Sequence, residues 1–144
     1  MASRDLITKL KATVALANGA AITAATNGVT IDTSGAMAHA FFISLNDVEA
    51  AESIVIKVQH GDFADASDMA DAPSQDVLIS GVTDNESGGV STVTVTTAQG
   101  DGVYAIGYVG PLQYIRVVVT PTGGDGVLAS ALHLAGRLHI EVAA

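Results

Sequence analysis

The stretch that most constrains how this chain folds is residues 101–121, DGVYAIGYVGPLQYIRVVVTP. Side chains of an extended strand alternate between two faces, so Tyr104, Ile106 and Tyr108 share one face. Ile115, Val117 and Val119 share a face of a second strand, with Tyr114, Arg116 and Val118 on its other side. Gly110 and Pro111 lie between the two. Glycine tolerates unusual φ, and proline fixes φ and removes a ladder donor, so this pair marks a break. The pattern predicts a β-hairpin with a tight turn, around which the remaining strands pack.

Further period-two segments support that reading. Val29, Ile31 and Thr33 alternate with Thr30 and Asp32. Over 37–45, Met37, His39, Phe41, Ile43 and Leu45 share a face, with Phe42 opposite and covered as well. Ile54, Ile56 and Val58 point inward from a strand over 53–60. Short strands are predicted over 77–80 and over 90–97, the latter burying Val93 and Val95. Residues 127–142 close the domain as one long or broken strand, with Leu128, Leu132, Leu134, Leu138 and Ile140 inward and a bulge at Gly136. Asn18-Gly19 and Asn27-Gly28 read as hairpin turns. Residues 61–76, GDFADASDMADAPSQD, read as an acidic loop with a helical turn, pinned to the core by Phe63 and Met69. Seven to nine short strands and no long helix predict an all-β, antiparallel sandwich or jelly-roll-like fold. The predicted domain is 12–144, preceded by a short N-terminal arm, 1–11. That arm reads either as a frayed terminus or as a clasp for a partner.

Composition narrows function. The chain has 144 residues, enough for one domain with a real core. It has no cysteine, so neither disulfides nor thiolate metal sites are available. No window approaches the eighteen or so uninterrupted apolar residues of a membrane span. The charged N-terminus MASRDLITKLKA lacks the apolar run of a signal peptide, so a soluble protein folded without export is expected. The net charge is −9, and three of the six basic residues, Arg4, Lys9 and Lys11, fall in the arm. The body is therefore strongly acidic and would repel a phosphate backbone, which argues against nucleic acid as a partner.

Catalytic motifs are lacking. The glycines of TPTGGDG, residues 120–126, have no following lysine or helix to make a phosphate loop, and neither G-x-S-x-G nor H-E-x-x-H occurs. His133 and His139 have the same parity, facing away from Leu132, Leu134 and Leu138, and would sit about 20 Å apart on an unbroken strand at ~3.3 Å per residue. With His39 and His60 in apolar strands, all four histidines read as core or interface residues. Asp62, Asp65, Asp68 and Asp71 recur at every third position but lack the D-x-D-x-D-G pattern and the closing glutamate of a calcium loop. A solvated acidic loop is the expectation. No enzyme, cofactor or metal centre is expected. Tyr104, Tyr108, Tyr114 and Arg116 are instead the residue types of interface hot spots. Two of the three tyrosines are expected in the core, with their hydroxyls at its rim.

The segment VYAIGYVGPLQYIRVVVTPTG resembles a stretch in decoration, or cement, proteins of tailed-bacteriophage heads, V-Y-x-I-G-Y-x-G-x-x-R-Y-[VI]-R-V-x-[VIL]-T. It matches at Val103, Tyr104, Ile106, Gly107, Tyr108, Gly110, Tyr114, Ile115, Arg116, Val117 and Thr120, and departs at Gln113, where the pattern has arginine. SRDLITKLKATVAL, NGVTIDTSGAMAHAFFISL and IVIKVQHGDFADASDMADA are similar to other parts of the family, so the likeness spans most of the chain. The resemblance implies a structural virion protein, made in the bacterial host cytoplasm and placed on the outer capsid surface. There it would bridge subunits of the major capsid protein as a homo-oligomer, a trimer ahead of a dimer. The contact residues expected on this basis are Arg4, Leu6, Lys9 and Lys11 of the arm with Tyr108, Tyr114 and Arg116. A tail-tube or neck subunit and a glycan-binding surface module are the alternatives.

Overall fold

The computed structural model describes residues 10–17 and 21–136. Arg4, Leu6 and Lys9, the Asn18-Gly19 pair, and Leu138, His139 and Ile140 lie outside the described residues. The fold is an antiparallel β-sandwich. One sheet has five strands in the order β1 (Leu10–Leu16), β11 (Leu128–Gly136), β4 (Ala38–Asn46), β9 (Gly102–Tyr108), β7 (Val77–Ile79). The other is built on β10 (Tyr114–Thr122) and β5 (Ser53–Gly61), which pair along their whole length. Two short strands, β2 (Thr26–Asn27) and β3 (Ile31–Asp32), line the far side of β10. The far side of β5 carries β6 (Ala70–Asp71) and β8 (Val93–Thr96).

Apart from the steps β2 to β3 and β5 to β6, every consecutive pair of strands lies in opposite sheets. The principal strands form β1-β11-β4-β9 in one layer and β2-β10-β5-β8 in the other, the wrapping of a jelly roll. This corrects the expected hairpin. β9 and β10 do not pair; they are joined by an arch over 109–113 that crosses between sheets. Both strands put one apolar face into the same core, so the alternation is equally compatible with side-by-side pairing and with face-to-face packing.

Tyr108 ties the arch down. Its ring is buried, and its hydroxyl accepts the Leu112 backbone N–H at 3.1 Å and lies 2.9 Å from Nδ1 of His60 on the opposite sheet. Gly110 is needed here for space, its φ being ordinary: a Cβ would fall 2.5 Å from the Tyr108 hydroxyl oxygen. The Val109 N–H donates to Asp76 O and Thr33 N–H to Gln113 O, holding each end of the arch to a neighbouring loop.

The core lies between the sheets. Phe41, Ile43, Leu45, Tyr104 and Ile106 face Ile54, Ile56, Val58, Ile115, Val117 and Val119, with Val93 and Val95 closing one end. Each such fully buried side chain contributes roughly 1.5–3 kcal/mol. Tyr104 and Tyr108 are the two core tyrosines, with Tyr104 Oη donating to Gly100 O, while Tyr114 is half-buried.

Three local expectations are corrected. Asn27-Gly28 is no turn. β2 and β3 pair with successive parts of β10 as one interrupted edge strand, and Gly28 marks the interruption. Its N–H donates to Val117 O, the next N–H donates to Ala15 O across the sandwich, and a Cβ would stand 2.6 Å from Ala15 O. Gly28→Ala is therefore expected to lower stability by about 1–2 kcal/mol through backbone displacement, measured as a fall in the chemical-denaturation midpoint. Phe63 is 59% exposed and does not pin the acidic loop; Asp68 organises it by accepting the N–H groups of Asp62 and Phe63. The loop contains a 3-10 turn, Ser74–Asp76.

The third correction concerns β11. Its inward residues are Ala129, Ala131 and His133; Leu128 and Leu132 are exposed and Leu134 is half-buried. Pairing decides this. Ala129, Ala131 and His133 stand opposite Leu45, Ile43 and Phe41, and directly paired residues share a face. Phe42, expected to be covered, is on the outside with Leu132.

Candidate interaction surface

Of the residues expected at a partner contact, the described ones, Lys11, Tyr108, Tyr114 and Arg116, do not form one surface. Leu10 and Lys11, assigned to the arm, already belong to β1 at the edge of the five-stranded sheet. Tyr108, expected at the contact, is instead a core residue with 2% exposure and offers no surface to a partner. Its parity on β9 turns it inward, and both partners of its hydroxyl are internal. Tyr114 and Arg116 lie on the outer face of the six-stranded sheet. There the guanidinium of Arg116 donates twice to Gln59 Oε1, at 2.8 and 2.7 Å. Gln59 Nε2 and Lys57 Nζ both donate to Asp71, each at 2.8 Å. Burial raises the Asp71 pKa, but hydrogen bonds from Lys57 and Gln59 and the Lys57 charge outweigh it, leaving the pKa below the usual carboxylate value. Arg116, Gln59, Lys57 and Asp71 on this face are thus already matched to one another.

The outer face of the five-stranded sheet is the opposite. Cross-strand pairing places Val14, Leu132, Phe42 and Ala105 in one row and Ala12, Leu134, Ala40, Gly107 and Leu78 in the next. Ser130, Ser44 and Val103 form a third row, and Leu128 and Asn46 a fourth. None of these positions carries a charge, in a chain with fifteen acidic residues. Six of the ten large apolar side chains exposed among the described residues lie here: Val14, Phe42, Leu78, Val103, Leu128 and Leu132. A contiguous patch of this kind marks an interaction site, whereas scattered exposed apolar residues need no explanation.

A small cleft of about 320 Å³ opens beside β1, β3 and β11, with Lys11, Thr13, Asp32, Ser34 and His133 on its walls. His133 is 1% exposed, its Nε2 lies 3.1 Å from Nδ1 of His39, and its own Nδ1 has no hydrogen-bond partner. The two rings stack with centroids 5.3 Å apart. Burial, and then the nearby charges of His39 and Lys11, push the pKa of His133 down to about 4. Burial also lowers that of His39. Among the described residues, no group of three His, Asp or Glu side chains is placed to hold a metal ion. Spacing along the chain gave no hint of the His39–His133 pair. It arises from the β4–β11 register, which puts His133 opposite Phe41, two residues along from His39. Leu128, Leu132 and Leu134 share one face as their spacing predicts, but that face is the outer one and not the core.

The molecule is thus a jelly-roll sandwich whose two outer faces differ, one carrying a matched polar network and the other uncharged and apolar. Comparison with family models, with curated proteins and with solved structures found no match to this chain.

Proposed function

We propose that this chain is a structural virion protein that decorates the outer surface of a tailed-phage head and bridges subunits of the major capsid protein. The observation that carries the reading is the stretch 103–120. The residues through which it resembles the decoration family include Tyr108 and Gly110, which build the inter-sheet arch, with Tyr104, Ile115 and Val117 in the core. Two further features support it. The acidic body suits a position outside the shell, away from packaged DNA. β1, which holds Leu10 and Lys11, is the edge strand of the five-stranded sheet among the described residues, and an edge of this kind can pair with a strand of another protein. A binder of this kind stabilises a shell by favouring its expanded state.

The test is co-sedimentation with particles of the phage that carries this gene. The chain is expected to bind expanded heads and to leave unexpanded procapsids bare; equal binding to both counts against the proposal. Because Leu10 and Lys11 already lie in β1, the informative truncation removes residues 2–9 only. It is expected to weaken head binding while leaving the unfolding transition of the body in place.

A further inference from the structure

The uncharged outer face of the five-stranded sheet needs an occupant. We infer that it is a second copy of this chain, packed sheet on sheet about a two-fold axis. Three observations select that occupant. The first is area. The five strands hold 35 residues in all, and at ~3.4 Å rise and ~4.8 Å spacing they make a face of roughly 570 Å². Two such faces bury about 1,100 Å² in total, which clears the roughly 1,000 Å² that a specific interface needs.

The second is charge. Two copies, each at −9, repel wherever their loops approach, and this face is where the strands carry no charge at all. The acidic residues of the described chain sit mostly in loops, such as Asp47, Glu49, Asp101 and Asp125. The third is chemistry. The face offers only aliphatic, small and hydroxyl or amide groups around Phe42 and Leu132, with no ionic pattern that would select a partner of opposite charge. Such a surface is complementary to itself, and an isologous pairing closes at two copies. Paired sheets in this arrangement pack about 10 Å apart, as the two layers within each copy do. The pairing uses the sheet face and not the β1 edge, so it is compatible with head binding without depending on it.

Sedimentation equilibrium of the full chain tests the inference without any capsid present, so its failure is separate from failure of the head-binding reading. A reversible dimer is expected that tightens as salt rises, because screening removes the repulsion between acidic bodies while apolar burial persists. Leu132→Lys and Val103→Lys are each expected to weaken association on the order of 100-fold or more by placing a charge in the buried face. Val103 is 67% exposed, so its variant keeps the fold and guards against a trivial loss of structure. Thr94→Lys, on the outer face of the other sheet, is expected to leave the dimer unchanged. A chain that stays monomeric at all concentrations, a dimer that weakens with salt, an oligomer other than a dimer, or a dimer indifferent to both face substitutions overturns the inference.

Discussion

Replacing Tyr108 with alanine is expected to lower stability by about 3–5 kcal/mol, the range for removing a large buried aromatic side chain. The ring is 2% exposed and lies between the sheets; its hydroxyl is bonded to the backbone of the arch and approaches His60 on the opposite layer. Loss of the side chain opens a cavity and frees the only connection between β9 and β10. Tyr108→Phe separates these contributions. It keeps the packing but leaves Leu112 N–H and His60 without their partner, at an expected cost of about 1–2 kcal/mol. Tyr114→Ala, on the half-buried outer face, is expected to cost less than about 1 kcal/mol. Urea denaturation of the three variants checks the order. A Tyr108→Ala protein as stable as Tyr114→Ala would show that the arch is not held from within.

Acid is expected to weaken the native state well before the carboxylates titrate. His133 has its ordinary value of 6.5 in the unfolded chain and about 4 in the folded one. Below pH 6.5 the unfolded chain takes up a proton that the native protein refuses. Stability therefore falls as pH drops from about 6.5 to about 4, by on the order of 3 kcal/mol at the lower end. His39, also held down by burial, adds to the slope in the same direction. The groups that face His133 are its partner His39, the Phe41 ring at 5.1 Å, and Lys11 with Asp32 across the cleft. Asp32, Asp65 and Asp71 have lowered pKa values, so their contributions persist through this window and are lost only below the usual carboxylate range. Denaturation midpoints measured between pH 7.5 and 4 test the expectation. His133→Leu, which removes the unpartnered nitrogen, is expected to flatten much of the slope. A wild-type profile that is level over this interval would overturn the assignment.

The strands themselves were readable. Ile54, Ile56 and Val58, and Val93 and Val95, are buried on the expected parity, because alternation reports directly which residues share a face. The core tyrosines were readable as to number, since burying an aromatic ring is favourable and its hydroxyl needs only a rim partner. The candidate surface was not. Leu128, Leu132 and Leu134 look like core residues in isolation, because a leucine on a strand gives no sign of which side of its sheet is covered.

From the amino-acid order alone came the extended strands, the grouping of side chains on each strand, and the places where the chain must break, since these depend on neighbours a few residues apart. Which strands pair, that Gly110-Pro111 spans two sheets, which side of β11 meets water, and that His39 lies against His133 were decided by tertiary structure. Each is set by register between strands distant in the chain, and a period-two pattern is unchanged when a strand moves to the other sheet or turns over.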